Sequence, residues 1–424
     1  GRLARALERR AAFTATPSQR AAHAAIRGDL ERAQAMRRLV SGDVGSGKTF
    51  VAALAIADVV ESGHQALVVA PSESLARQHA QTLDGWLRPL GVEVALLTGA
   101  VGDRPRRPLL DGLATGAIDV VVGTQALLEE GVRCAALGLV VVDEQHRFGV
   151  RQRGRLTAKG HGVHMLTLTA TPIPRTLVLM LDGSIDVSRL EPRPGTGGNV
   201  TTRAIGRARR AAVEARLVAA LDAGERAFWV CATIAGENGA EARHAAFAAR
   251  LGERAALLTG RQDGAERERV LAAFRRGERP LLVATSVVEV GIDVPDASII
   301  VVENAERFGL AQLHQLRGRV GRAGQPASCV LLHGEPLQPG QYERLDRLRH
   351  SHDGLALAEA DLALRGSGEL LGLRQSGAAA FRFLDLARDA ALLADTTAHL
   401  DADEDDPLWL FAPQPTVTGG LGAG

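Results

Sequence analysis

Lysine is nearly missing from this chain. Of 424 residues, 50 are Lys or Arg, and only Lys48 and Lys159 are lysines; the other 48 are arginines. Both side chains are good surface cations, so surface chemistry alone does not demand that ratio. A coding bias towards GC-rich codons accounts for it, and for the abundant Ala and Gly. A lysine that survives such a bias is informative, because it marks a place where guanidinium cannot substitute.

Other scarcities exclude whole classes. Cys134, Cys231 and Cys329 are the only cysteines, and they lie far apart with no metal-type spacing. They argue for a reducing compartment and against a disulfide or zinc framework. Aromatic residues make up 3% of the chain, so there is no Phe/Tyr-rich platform for stacking bases. Any contact with nucleic acid is expected to follow the backbone through Arg and main-chain N–H groups. No apolar run reaches the length of a membrane span, and no signal peptide is expected. The net charge is only +1, so a nucleic-acid surface must be a local patch.

What is present is ordinary for a globular protein: 46% hydrophobic and 23% charged residues, with a length that suggests two or three domains. Short β-branched runs alternate with helical stretches. In the first half they are Arg38–Ser41, Ala66–Ala70, Val92–Leu97, Asp119–Gly123, Leu139–Asp143 and Met165–Leu168. Several are apolar almost throughout, the pattern of parallel strands buried on both faces. The Pro/Gly-rich stretch Glu191–Gly198 reads as a linker. The alternation resumes at Ala227–Ala232, Ala255–Leu258, Pro280–Ala284, Ser298–Glu303 and Ser328–Leu332. The expected fold class is therefore α/β, with two tandem doubly wound parallel-sheet domains. The expected units are 13–192 and 199–345, preceded by a helical segment at 1–12 with nothing before it to pack on. A mostly helical region at 346–424 follows, with a frayed acidic tail.

Gly42-Asp43-Val44-Gly45-Ser46-Gly47-Lys48-Thr49 fits G-x-x-x-x-G-K-[ST], follows the first strand and opens a helical run. With so few lysines, chance would produce about 0.003 such matches in a chain of this composition. The glycines Gly42, Gly45 and Gly47 let backbone N–H groups, Ser46 among them, turn towards phosphate oxygens, and the helix N-terminus adds partial positive charge. Lys48 would reach the β- and γ-phosphates of ATP, and the Thr49 hydroxyl would bind Mg²⁺. Asp143-Glu144-Gln145-His146 ends an apolar strand. There Asp143 would hold Mg²⁺ and Glu144 would orient the attacking water. In Gln315-Leu316-Arg317-Gly318-Arg319-Val320-Gly321-Arg322, Arg319 and Arg322 are expected to share one helical face and reach the γ-phosphate across a cleft.

Read in order, these segments with Ala70–Glu73, Gly123–Ala126, Thr169–Pro172 and Val290–Asp293 resemble the motifs of superfamily 2 helicases over nearly the whole chain. Asp143–Val150, Thr169–Thr176, Phe308–Gln315 and Arg365–Gly377 narrow the resemblance to the RecG branch. Arg365–Gly377 matches a translocation motif shared with the transcription-repair coupling factor. Gln145 and the Gly42–Thr49 loop favour RecG, since the coupling factor usually has Glu at the third box position.

The resemblance implies two RecA-like domains, a C-terminal translocation-motif region, and an ATP-driven double-stranded-DNA translocase that remodels forks and Holliday junctions. Gln19 would recognise adenine. Gln315 would belong with the two arginines in the catalytic set, and Gly291 and Asp293 would bridge nucleotide and DNA. Thr169 and Thr171 would couple hydrolysis to motion. Pro71, Arg77, Thr124 and Thr285 would lie near the DNA backbone. Arg365, Arg374 and Gln375 would belong to the hairpin and loop that transmit domain movement to DNA. Branched or double-stranded DNA is the implied partner, with a single-stranded-DNA-binding protein as a further one. The implied setting is a monomer in the bacterial cytoplasm, associated with the nucleoid.

RecG proteins carry an N-terminal wedge domain, and this chain is expected to begin at the linker-helix equivalent, without one. Two alternatives follow: a nucleotide-gated DNA clamp without productive unwinding, and a translocase of the coupling-factor type. A metabolic P-loop enzyme is disfavoured, because it would need neither the arginine cluster nor Thr169-Ala170-Thr171-Pro172. Phosphate tracking is compatible with an RNA substrate as well.

Overall fold

A computed structural model describes residues 1–43, 45–99, 103–143, 155–170, 185–191, 200–285, 294, 296–322 and 324–365. Within these lie two all-parallel sheets. The first contains β1 (Arg37–Ser41), β2 (Gln65–Val69), β3 (Val94–Leu97), β4 (Val120–Gly123), β5 (Leu137–Asp143), β6 (His164–Thr169) and β7 (Asp186–Arg189). Their order across the sheet is β3-β4-β2-β5-β6-β1-β7. The second contains β8 (Val200–Gly206), β9 (Arg226–Cys231), β10 (Ala255–Leu258), β11 (Leu281–Ala284), β12 (Ala297–Glu303) and β13 (Ala327–His333), in the order β10-β11-β9-β12-β13-β8. The central strands β2 and β4 are buried at every position, as continuous Val/Leu sequence with helices on both faces requires.

Helices α1 (Arg2–Arg10), α2 (Pro17–Leu30), α3 (Lys48–Glu61), α4 (Glu73–Leu87) and α5 (Asp103–Thr115) accompany the first sheet. Helix α3 is apolar nearly all round and is buried at nine positions, so it packs on every side. Part of its cover is α1, whose Ala4 and Leu7 are spaced by three and enter the same core. That segment, expected to have nothing before it to pack on, docks onto the helix that follows the loop Gly42–Thr49. Phe50 ties the layer together, with ring centroids 4.8 Å from Phe13 and 5.6 Å from Trp86, both edge-on.

Helices α6 (Arg210–Asp222), α7 (Ala240–Leu251), α8 (Gly264–Arg275) and α9 (Leu310–Arg317) accompany the second sheet, followed by α10 (Pro339–His350) and α11 (Gly354–Arg365). Trp229, fully buried on β9, stacks edge-on against Phe247 and donates its indole N–H to Glu303 at 2.8 Å. Glu303 is itself fully buried and also pairs with Arg243.

Two strands, β7 and β8, were not expected from sequence, and both are edge strands. Asp186-Val187-Ser188-Arg189 is short and polar, with only Ser188 buried. Val200–Gly206 is half-exposed along most of its length. Edge strands face solvent on one side and need no continuous apolar run.

Candidate active site

The phosphate-loop sequence runs from the end of β1 into α3. Gly45 and Gly47 have φ of +87° and +88°, where a side chain would be strained. A Cβ on Gly42 would come within 2.9 Å of Leu190 Cβ and 3.0 Å of its carbonyl oxygen, so this position is closed to anything larger. Gly42 N–H donates to Thr169 O at 3.3 Å, fixing the loop to the end of β6. Lys48 Nζ donates to the carbonyl oxygens of Gly42, at 2.6 Å, and Asp43, at 3.0 Å. Ser46 is buried, and Thr49, in the first turn of α3, is half-buried.

Gln19 is fully buried and held at both ends. Its Oε1 accepts from Thr16 N–H at 3.0 Å, and its Nε2 donates to Ser46 O at 2.7 Å. Thr16 and Gln19 form a capping box at the start of α2. The side chain expected to read adenine is thus attached directly to the loop expected to hold the phosphates.

Asp143 ends β5, two strands from β1 in the sheet, and its Oδ2 accepts a hydrogen bond of 2.8 Å from His79 Nε2. His79 belongs to α4, which Ser72 caps by accepting from Leu75 N–H. Pro71 and Thr124 follow β2 and β4, and Thr285 follows β11. Arg77 is exposed on α4, and Thr169 is buried at the end of β6. Asp143, Pro71, Thr124, Thr285 and Thr169 stand at or just beyond the carboxyl ends of parallel strands, where α/β sheets hold ligands.

The expectation that Arg319 and Arg322 share one helical face needs correction. Helix α9 ends at Arg317, and both arginines lie in the turns beyond it. Gly318 caps the helix, and Gly321 at φ +74° turns the chain away from helical geometry. Arg322 Nε donates to Gly318 O at 2.9 Å, and Arg319 is buried. Gln315 is on α9 and half-buried. Glu144, Thr171, Gly291, Asp293, Arg374 and Gln375, and the side chain of Arg365, lie outside the described residues.

A side chain to which the sequence motifs assign no role joins the second domain to the loop. His314 Nε2, on α9, is 3.1 Å from Asp43 Oδ1. Burial works to raise the Asp43 pKa, but the His314 hydrogen bond, with the charges of His314, Lys48 and Arg317, outweighs it and holds the carboxyl below its ordinary value. Lys159 is also accounted for. Its Nζ donates to Glu129 O at 2.7 Å and Val132 O at 2.9 Å, tying down the turn after β4.

Comparison with known proteins matches both sheet domains to helicase families. Residues 16–179 match the DEAD/DEAH box helicase family, and 204–324 match the helicase conserved C-terminal domain. Residues 351–408 match the family described as ATP-dependent DNA helicase RecG, domain 3, C-terminal. A curated ATP-dependent DNA helicase RecG of Acidithiobacillus ferridurans is 47% identical over 388 residues. RecG helicases are what this chain is similar to.

That alignment covers 90% of the chain and 57% of the relative, so the chain spans little more than half of the RecG protein it matches. The RecG of Escherichia coli K12 is 44% identical over 394 residues, with the same two shares. A solved structure, of RecG bound to a three-way DNA junction, superposes with a TM-score of 0.77 at 40% identity. The match covers 93% of this chain and 52% of that one.

Proposed function

We propose that this chain is the motor of an ATP-dependent double-stranded-DNA translocase that remodels branched DNA. The observation that carries the reading is the loop Gly42–Thr49, shaped by two glycines at positive φ and tied to the ends of β6 and α2. It lies in the sheet whose β5 ends in Asp143. Residues 13–192 and 199–345 are its two units, with the helices from 346 onward as the transmitting region.

In this reading, backbone N–H groups at the start of α3 bind phosphate oxygens, and Lys48 exchanges its two carbonyl partners for phosphate. Gln19 holds the base. Thr49 and Asp143 are chemically suited to a hard divalent cation, being a hydroxyl and a carboxylate, and Mg²⁺ bound there would neutralise phosphate charge. Glu144 orients the attacking water, and Gln315, Arg319 and Arg322 act on charge that develops at the γ-phosphate. Gly291 and Asp293 bridge nucleotide and DNA. Thr169 and Thr171 pass the change to Pro71, Arg77, Thr124 and Thr285 at the DNA backbone, while Arg365, Arg374 and Gln375 drive the duplex. A single-stranded-DNA-binding partner, a monomeric state and a place at the bacterial nucleoid belong to the same proposal.

ATP turnover with and without a three-way DNA junction tests this, beside displacement of a labelled strand. The expected result is DNA-stimulated turnover that drives displacement, both lost in Lys48→Ala. Turnover indifferent to DNA rejects the translocase. Stimulated turnover without displacement indicates a nucleotide-gated clamp.

A further inference from the structure

His314 does more than meet Asp43. Its Nδ1 is 2.9 Å from a terminal nitrogen of Arg317, one helical turn further on. Arg317 is buried, and its other terminal nitrogen donates to Leu348 O at 2.7 Å and Ser351 O at 2.8 Å. Those carbonyls belong to the C-terminal end of α10 and the residue that follows it, just before α11. A continuous chain of hydrogen bonds therefore runs from the first-domain loop, through one imidazole and one guanidinium, to the C-terminal helices.

The first link is coupled to Lys48. Asp43 is engaged twice, its carbonyl by Lys48 Nζ and its carboxylate by His314. If Lys48 leaves that carbonyl for a phosphate, the backbone that carries the carboxylate loses one of its restraints. The change is passed to a buried guanidinium, whose fixed fork holds two carbonyls and moves only with them.

We propose that His314 is a positioning residue that couples the state of the phosphate loop to α10 and α11, with Asp43 as its contact and Arg317 as its relay. The inference rests on the translocase reading and deepens it. His314 touches neither nucleotide nor DNA in this role. Its loss should leave hydrolysis possible but detach it from movement of the C-terminal helices.

The test uses the full-length protein and measures strand displacement per ATP hydrolysed. His314→Ala and Asp43→Ala should each lower that ratio by about tenfold, the size of an ordinary coupling between sites. The double variant should be no worse than either single, because the two residues form one link. His314→Gln, whose amide can still donate to Asp43, should recover most of the ratio, which a generally damaged fold would not do.

A second readout is the distance between spin labels at Gln81→Cys and Ala215→Cys, both exposed and one in each domain. It should broaden in His314→Ala. The proposal is overturned if His314→Ala keeps the parent ratio, if the single effects multiply in the double variant, or if Gln does no better than Ala. If the parent hydrolyses ATP but displaces no strand, the translocase reading fails. The distance measurement then decides the link: a broadened distribution in His314→Ala supports it, and an unchanged one overturns it.

Discussion

His79 donates from Nε2 to Asp143 Oδ2 across 2.8 Å, joining the middle of α4 to the end of β5. Neither side chain is more than 13% exposed. The bond fixes the orientation of the carboxylate proposed to hold Mg²⁺.

His79→Ala should therefore raise the Mg²⁺ concentration needed for half-maximal ATP turnover. Loss of the partner that orients a metal ligand costs about 10- to 100-fold in affinity or activity. A Mg²⁺ titration of the turnover rate measures it, and an unchanged midpoint would remove His79 from the site.

Lys48→Arg keeps the charge and should still abolish function. Nζ reaches two carbonyl oxygens at 2.6 and 3.0 Å inside the loop, and a planar guanidinium is too wide for that space. The turnover number should fall by about 10²- to 10³-fold, the cost of losing one well-placed donor to developing charge. Steady-state ATPase assays of parent and variant decide the matter. Near-normal turnover in the variant would show that the near-absence of lysine says nothing about this position.

Trp229→Phe should destabilise the second domain without touching the proposed site. It removes the indole donor from the fully buried Glu303, and a buried acceptor left short of a partner costs about 1–3 kcal/mol. Urea unfolding should give a lower midpoint with an unchanged slope.

The three thiols should be slow to alkylate in the native protein. Burial pushes Cys134 up to about 11 and Cys231 and Cys329 up to about 12. At neutral pH each is almost wholly in the unreactive protonated form, because the charged thiolate is the disfavoured state. The alkylation rate of half-buried Cys134 should keep climbing with pH towards about 11. Fast labelling at pH 7 without denaturant would contradict this.

Much of the architecture was legible because buried parallel strands announce themselves. Val140-Val141-Val142 fits few other places. The loop proposed to hold phosphate stands out in the sequence because that chemistry dictates residue types at fixed spacing, and Gln19 is proposed because a family resemblance points to it. Edge strands β7 and β8 were not legible, since polar and half-exposed sequence is shared with loops. His79 and His314 were invisible for a different reason. Their partners lie 64 and 271 positions away along the chain, and a single histidine carries no spacing signal. The turn after α9 was not legible because Arg319 and Arg322, three apart, look helical in spacing, whereas Gly318 and Gly321 decide the backbone.

One edge strand has a mechanical consequence. β7 is the last strand before the chain crosses to the second domain, and it pairs with β1, the strand that feeds the phosphate loop. Leu190, just past its end, donates to Ser41 O at 2.8 Å and covers Gly42. Tension on the crossing segment along the direction of β7 is borne as shear, with every β7–β1 bond resisting at once. It acts first on the residue pressed against the loop's leading glycine. A motor whose two halves pull on one another would deliver part of that load directly to its own phosphate loop.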